Sequence, residues 1–190
     1  GSAEFNGLAA SLNEMADSLE EREGESERHI ARFTRLNRIY AVLSAINGAI
    51  IRGFGKDDLL KEACRIAVEH GCFSLAWAAL DDGTGKLVPT AWAGHDRAYI
   101  DDLMERSAND SSPVPLAITA FTENREIIAG GFENDDTIAP WKDLPNEYGY
   151  RSAAAFPLKI GEKSVGALAL YSTEPDYFKD KDELKLLLDL

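Results

Sequence analysis

Steps of three and four residues run without a break from Phe5 to Ile50 and select a single register. The selected residues are Phe5, Leu8, Leu12, Met15, Leu19, Arg22, Ser26, His29, Phe33, Leu36, Tyr40, Leu43, Asn47 and Ile50. Ten of these fourteen are apolar, and the polar ones gather at Arg22–His29 plus Asn47. A seam that repeats every 3.5 residues faces a partner helix rather than the chain's own core. The candidate dimer seam is therefore Leu8, Leu12, Met15, Leu19, Phe33, Leu36, Tyr40, Leu43 and Ile50, and the expected partner is a second copy of the chain. Gly24 lies in the polar interval Glu20–Arg28, where a loop between two helices is the alternative reading, because glycine weakens a helix. The register returns in phase at Phe33, which favours one continuous helix of roughly 70 Å. Such a rod can carry a shift or a rotation along its axis, as signalling requires.

The remaining residues suffice for one domain with a real core. Of the 190 residues 45% are hydrophobic, and the net charge is -13. That acidity argues against phosphate backbones and anionic lipid as partners. No apolar run reaches the length of a membrane span, and no signal peptide opens the chain. Cys64 and Cys72 form neither a C-x-x-C pair nor a disulfide framework, which suits a reducing cytoplasmic setting. Gly1-Ser2 reads as a cloning remnant.

After Gly53-Phe54-Gly55 a helix is expected from Asp57 or Asp58, with Leu60, Cys64, Ala67 and Val68 on its apolar face and Gly71 ending it. The apolar run Cys72–Leu80 predicts a strand, the turn Asp81–Gly85 a hairpin, and Leu87–Ala93 the returning strand. A helix near Tyr99–Arg106 follows, then a loop to Pro115, a helix at Leu116–Thr122 and a strand at Glu126–Ala129. A short helical turn is expected around Trp141–Tyr148. Arg151–Ile160 and Lys163–Ser172 form a second hairpin about Gly161-Glu162. A last helix starts near Asp180, and its apolar face still runs at Leu190, as if the helix continued beyond. Antiparallel hairpins interspersed with helices predict an α+β fold, one sheet packed against helices.

Catalytic signals are weak. His29, His70 and His95 are scattered, with no H-E-x-x-H motif. His29 reads as a tolerated seam residue, and His70 suits a helix C-terminus. GTGK at Gly83–Lys86 fails the phosphate-loop pattern, because Leu80 and Leu87 stand where Gly and Ser/Thr are needed. Cys64 and Cys72 read as buried small hydrophobes. Acidic pairs such as Asp81-Asp82 and Asp135-Asp136 read as turn and capping residues. The aromatic inventory is more suggestive. A small-molecule pocket over one sheet face would draw on Trp77, Trp92, Phe121, Phe132 and Trp141, with Asp135 or Arg151 at its rim. Ordinary core packing is the competing reading for each.

Three stretches carry a family resemblance: CRIAVEHGCFSLAWAAL, then IAPWKD, then GYRSAAAFPLKIGEKSVGALALYSTEPDYFKDKDEL. Through them, residues from about 57 to 190 resemble a bacterial GAF domain of membrane-bound sensor proteins. RIYAVLSAINGAIIR is similar to the helix that leads into such domains, and AEFNGLAASLNEMADSLEERE resembles the second helix of a HAMP linker. The implied division is a cloning remnant at 1–2, a HAMP C-terminal helix at 3–22, a signalling coiled-coil helix at 23–55 and a GAF domain at 56–190, its C-terminal helix truncated. The implied fold is a central antiparallel sheet with helices on both faces. The cyclic-nucleotide pattern N-K-x-n-F-x-x-x-D-E is missing, as is a cysteine placed near a histidine for bilin attachment. Gly130-Gly131 and the loop SSPVPL depart from the family pattern around the expected pocket. The resemblance thus names no ligand, and any cofactor is unknown.

The implied function is a non-catalytic sensory and relay module of a dimeric receptor, on the cytoplasmic side of an inner membrane. It would couple HAMP motion, and a pocket ligand if there is one, to a following GGDEF or histidine kinase domain. A structural dimerisation spacer with a filled pocket is the alternative. A stand-alone enzyme in the manner of the GAF-fold methionine sulfoxide reductases would need cysteines clustered at the pocket, which Cys64 and Cys72 do not offer.

Overall fold

The computed structural model describes residues 2–51, 56–94, 97–109, 115–132, 143–175 and 177–178. Within those spans, side chains are described at 12–34, 37–38 and from 58 onward, 109 excepted. Contacts divide the chain into two compact units, Gly1–Asn37 and Arg38–Leu190.

Helix α1 (Ser2–Ile51) is unbroken through Gly24. No positive φ occurs there, and the Arg28 Nε donates to the Gly24 carbonyl at 2.9 Å. Leu12, Met15, Leu19 and Phe33 are 58–67% exposed, and Ile30 beside the seam is exposed too. A helix with so little polar reason to bare these side chains is an apolar stripe without a cover in the single chain. Leu8, Leu36, Tyr40, Leu43 and Ile50 fall outside the described side chains. Among the described residues no helix is long and apolar enough to cross a membrane.

After α1 the chain continues with α2 (Lys56–Gly71), followed by β1 (Leu75–Asp81) and β2 (Leu87–Gly94). Then come α3 (Arg97–Asn109), α4 (Leu116–Glu123), β3 (Ile127–Ala129), α5 (Asp143–Glu147), β4 (Ser152–Ile160) and β5 (Lys163–Ser172). All pairings are antiparallel, in the order β2-β1-β5-β4-β3. The element order follows the sequence expectation, with two corrections at the junction of α2 and β1. The left-handed residue is Cys72 (φ 56) rather than Gly71, and Cys72 is exposed rather than buried. The ladder therefore starts only at Leu75, after Phe73 N–H has closed on the Ala67 carbonyl and Ser74 N–H has bonded the Tyr171 carbonyl. The expected Asp180 helix lies outside the described residues.

Alternation along the strands divides the core into two layers. One layer joins Ala76, Ala78, Ala91, Ala154, Phe156 and Leu170 to Cys64 and Ala67 of α2 and to Phe73, Tyr177 and Phe178. The other joins Leu75, Trp77, Ala79, Ala153, Ala155, Ala167, Ala169 and Tyr171 to residues of α3, α4 and α5. Helices thus cover both faces. β5 approaches β1 closely at Gly166, where an added Cβ would lie 2.3 Å from the Ala79 carbonyl oxygen. That approach is the physical reason for glycine in the run V-G-A-L.

Candidate functional site

The layer beneath α3, α4 and α5 has a floor of small side chains. Ala167 and Ala169 on β5 face Ala79 and Trp77 across β1, while Ala155 faces Ala169 and Ala129 faces Ala153 from the other side. Helix α4 comes down on β4 and β5 through Ala117 and Ala120, an approach that only small residues on both sides permit. Its C-cap, Asn124, is left-handed, and its side-chain amide donates to the Glu162 carbonyl at 3.1 Å. The helix is thereby tied to the β4–β5 turn.

Beside the alanine floor, four tyrosines converge. Tyr99 of α3 sits edge-on to Tyr148, Tyr150 and Tyr171, with ring centroids 5.1–5.2 Å apart and interplanar angles of 70–76°. Edge-to-face geometry sets the positive rim of one ring against the negative face of another. Tyr99, Tyr150 and Tyr171 are buried, whereas Tyr148 is partly exposed. The Tyr148 hydroxyl donates to Asp102 Oδ2 at 2.9 Å, which links the turn after α5 to α3. Arg106 and Glu147 approach to 3.9 Å across the same gap, at the surface.

Trp77 is fully buried, and its Nε1–H finds no acceptor at hydrogen-bonding geometry. Burial pushes the Tyr99 hydroxyl well above its usual ionisation range, and hydrogen bonding with Tyr171 pushes it further. Burial also raises Tyr171, while Tyr99 and then Trp77 act in the opposite sense and favour its ionised form. The Trp77 N–H lies near enough to bias the Tyr171 oxygen, yet stays off hydrogen-bond geometry.

Of the residues expected at a pocket, the structure brings together Trp77 and Phe132, both buried, with Phe121 packed against the same layer. Trp92 pairs with Trp77 in register but lies on edge strand β2, 42% exposed, with the Arg97 guanidinium 4.1 Å above its ring. Arg151 is exposed, and Asp135, Trp141 and His95 lie outside the described residues. Tyr99, Tyr150 and Tyr171 were not singled out from the sequence. The Ala-x-Ala-x-Tyr alternation at Ala167–Tyr171 places Tyr171 on one strand face with the two alanines, but nothing local joins it to Tyr99.

Asp81-Asp82 is structural, as expected. Asp81 Oδ1 accepts from Gly83 and Gly85 N–H, and Asp82 Oδ1 from the Thr84 N–H and hydroxyl. Cys64 lies on the opposite sheet face, where burial pushes its thiol up to about 12 despite a hydrogen bond with the Ala78 backbone.

No curated protein matches the chain in sequence. The fold is shared with a GAF domain from a phosphoenolpyruvate-protein phosphotransferase of Coxiella burnetii, at a TM-score of 0.60 and 13% identity over 81% of this chain and 88% of that one. It is also shared with the free methionine-R-sulfoxide reductase of Neisseria meningitidis, solved with its substrate (TM-score 0.59, 14% identity, 80% and 82% covered). A third structure is a domain of a Sinorhizobium meliloti 1021 protein assigned as a two-component sensor histidine kinase (TM-score 0.53, 15% identity, 72% and 85% covered). The family model described as GAF domain matches residues 55–190. The chain belongs to the GAF domain family.

Proposed function

We propose that this chain is a non-catalytic sensory module of a dimeric signalling receptor. A small molecule binds between the sheet and the helices α3–α5, and α1 pairs with its copy in a second chain. HAMP-like motion enters through α1, and the signal leaves through the segment after β5 toward a following GGDEF or histidine kinase domain. A place on the cytoplasmic side of an inner membrane fits the reading.

The observation that carries the reading is the orphan Trp77 N–H inside an aromatic site. A buried donor without an acceptor costs about 1–3 kcal/mol, and such groups in a native fold call for an explanation. A ligand acceptor supplies one. Kinship of fold with a domain assigned to a sensor histidine kinase supports signalling. Kinship with methionine sulfoxide reductases admits catalysis in this fold. The placement of Cys64, buried, protonated and on the other sheet face, favours regulation over thiol chemistry.

A second reading, the dimerisation spacer, draws on the closeness of the packing, since Trp77, Tyr99, Phe132, Tyr150 and Tyr171 are all fully buried. Thermal-shift and native mass-spectrometry screening of a small-molecule library separates the two. Ligand-dependent stabilisation with retained ligand mass is the expected result for a sensor. A melting temperature indifferent to every compound is the result for a spacer.

A further inference from the structure

Between Leu19 and Ile30 the seam of α1 turns polar, with Arg22, Ser26 and His29 at its inward positions. Glu25, Arg28, His29 and Arg32 line one shallow groove on that helix. Residues 12–34 are all exposed except Gly24, so among the described residues no part of the single chain covers this interval. We propose that α1 pairs in parallel and in register with a second copy of the chain, and that the two His29 rings meet in the seam, where proton uptake drives them apart. This rests on the dimeric reading above and names its orientation and its regulation.

Orientation follows from the flanks. The sensory reading needs motion to enter both chains from the same end, which a parallel pair provides. A parallel heptad sets Ser18 against the partner's Glu23, Glu25 against the partner's Ile30, and Arg32 against the partner's Asn37. None of these is a like-charged pair. Arg22, opposite its own copy, also reaches the partner's Glu23, which supplies the counter-charge in that layer. Leu12, Met15, Leu19 and Phe33, all exposed in the single chain, are covered by the same pairing.

The His29 layer has no such counter-charge within it. Each ring packs into a hole made by the partner's Ser26, His29, Ile30 and Phe33. The charged groups around the ring are Glu25, Arg28 and Arg32 of its own helix and the same three of the partner, two cations for each anion. Neutral rings fit this layer and share a hydrogen bond, one ring nitrogen donating and the other accepting. Protonated rings are donors only, repel each other, and stand among arginines.

A protonated ring has somewhere better to go. Glu25 lies one turn before His29, the favoured order for an acid–base pair on one helix, and the two share the surface groove. The ring gains that carboxylate by leaving the seam. Separated chains therefore take up more protons than the pair does. The pair weakens as pH falls through the range where histidine titrates, around 6.5 in water.

The test is analytical ultracentrifugation of the 190-residue chain at about pH 7.5 and about pH 5.5, either side of histidine titration. The dissociation constant of the pair should rise roughly tenfold on acidification. The bulk effect has the opposite sign, since the net charge of -13 shrinks toward a pI of about 4.6 and repulsion between chains falls. His29→Leu, which leaves His70 and His95 to titrate, should abolish the rise. Orientation is read from disulfide cross-linking in Leu12→Cys combined with Cys72→Ser, which removes the exposed native thiol. A parallel pair cross-links, whereas an antiparallel one, with position 12 opposite position 43, holds the two thiols roughly 45 Å apart. A monomer at the higher pH overturns the dimeric reading itself. A dimer whose constant is equal at both pH values, or rises as much in His29→Leu, overturns the role of His29. A dimer that fails to cross-link overturns the parallel register.

Discussion

The ring of Tyr99 stands edge-on against that of Tyr171, their centroids 5.1 Å apart at 73°. One comes from a lid helix and the other from the end of a central strand, so this pair is where lid and floor meet. The Tyr171 carbonyl also accepts from Ser74 N–H. Its neighbour Ser172 accepts from Glu174 N–H through its hydroxyl, and the Ser152 hydroxyl donates to the Glu174 carbonyl at 2.7 Å. A displacement of Tyr171 therefore reaches the segment by which the chain leaves the sheet.

The lid is held by Tyr148 and Asp102 more than by its surface charges. Tyr148→Phe should cost about 1 kcal/mol in urea denaturation, since a partly buried bond to a carboxylate is lost. Arg106→Ala should stay within about 0.5 kcal/mol, because its partner is 3.9 Å away and both are exposed. Equal losses from the two variants would show that α3 is held by something else.

Gly166→Ala should destabilise by about 2 kcal/mol or more, the range for forcing atoms into a filled core. Its Cβ would sit 2.3 Å from a backbone oxygen, which cannot turn aside as a side chain could. A neutral result in thermal unfolding would mean that β1 and β5 can part locally.

Alkali should unfold the protein through its buried acids. Cys64 ionises near 9.0 when exposed but only at about 12 in the fold, and Tyr99 and Tyr171 are likewise raised above the ordinary 10.0. A raised acid keeps its proton in the native state while the unfolded chain loses it, so stability falls once pH exceeds the unfolded value. Each such group contributes a slope of about 1.4 kcal/mol per pH unit. Stability should therefore decline from pH 9 upward, and Cys64→Ala should flatten the part between 9 and 12. The check is urea denaturation across that range, where an unchanged slope in the variant would exclude Cys64 as a source.

Gly24→Ala should raise the stability of α1 by about 1 kcal/mol. An added methyl there meets only the Arg28 guanidinium at 3.7 Å, and no left-handed φ stands in the way. A fall in thermal midpoint would mean that the helix turns at this position in solution.

Leu19→Asp with Phe33→Asp should convert a dimer to monomers by light scattering. Both side chains are exposed in the single chain, so the substitutions leave the second unit's core intact. A double variant that stays dimeric would place the interface elsewhere.

What the sequence made legible was what local pattern controls. The heptad period carried α1 through Gly24, and Gly161-Glu162 and Asp81–Gly85 marked both hairpins. Cys72 departs from the expectation because its left-handed turn precedes Phe73, whose ring packs on Tyr177 and Phe178 in the layer under α2, contacts far along the chain that no local pattern announces. The site was half legible. Trp77 and Phe132 stand out as aromatics in apolar surroundings, but Tyr99, Tyr150 and Tyr171 meet only because β5 lies between β1 and β4. That order arises from long-range pairing, which no local window contains. The same topology puts Trp92 on the sheet edge, beneath Arg97 rather than inside the layer.

The most direct measurement is the Trp77 indole N–H resonance in the 190-residue chain, followed as fractions of a cellular small-molecule extract are added. A ligand-responsive site predicts that one fraction shifts this resonance together with signals from the Thr173–Pro175 segment, and raises the melting temperature. A resonance that stays fixed through every fraction, in a chain that remains folded, would contradict a sensory role and leave a dimerisation spacer.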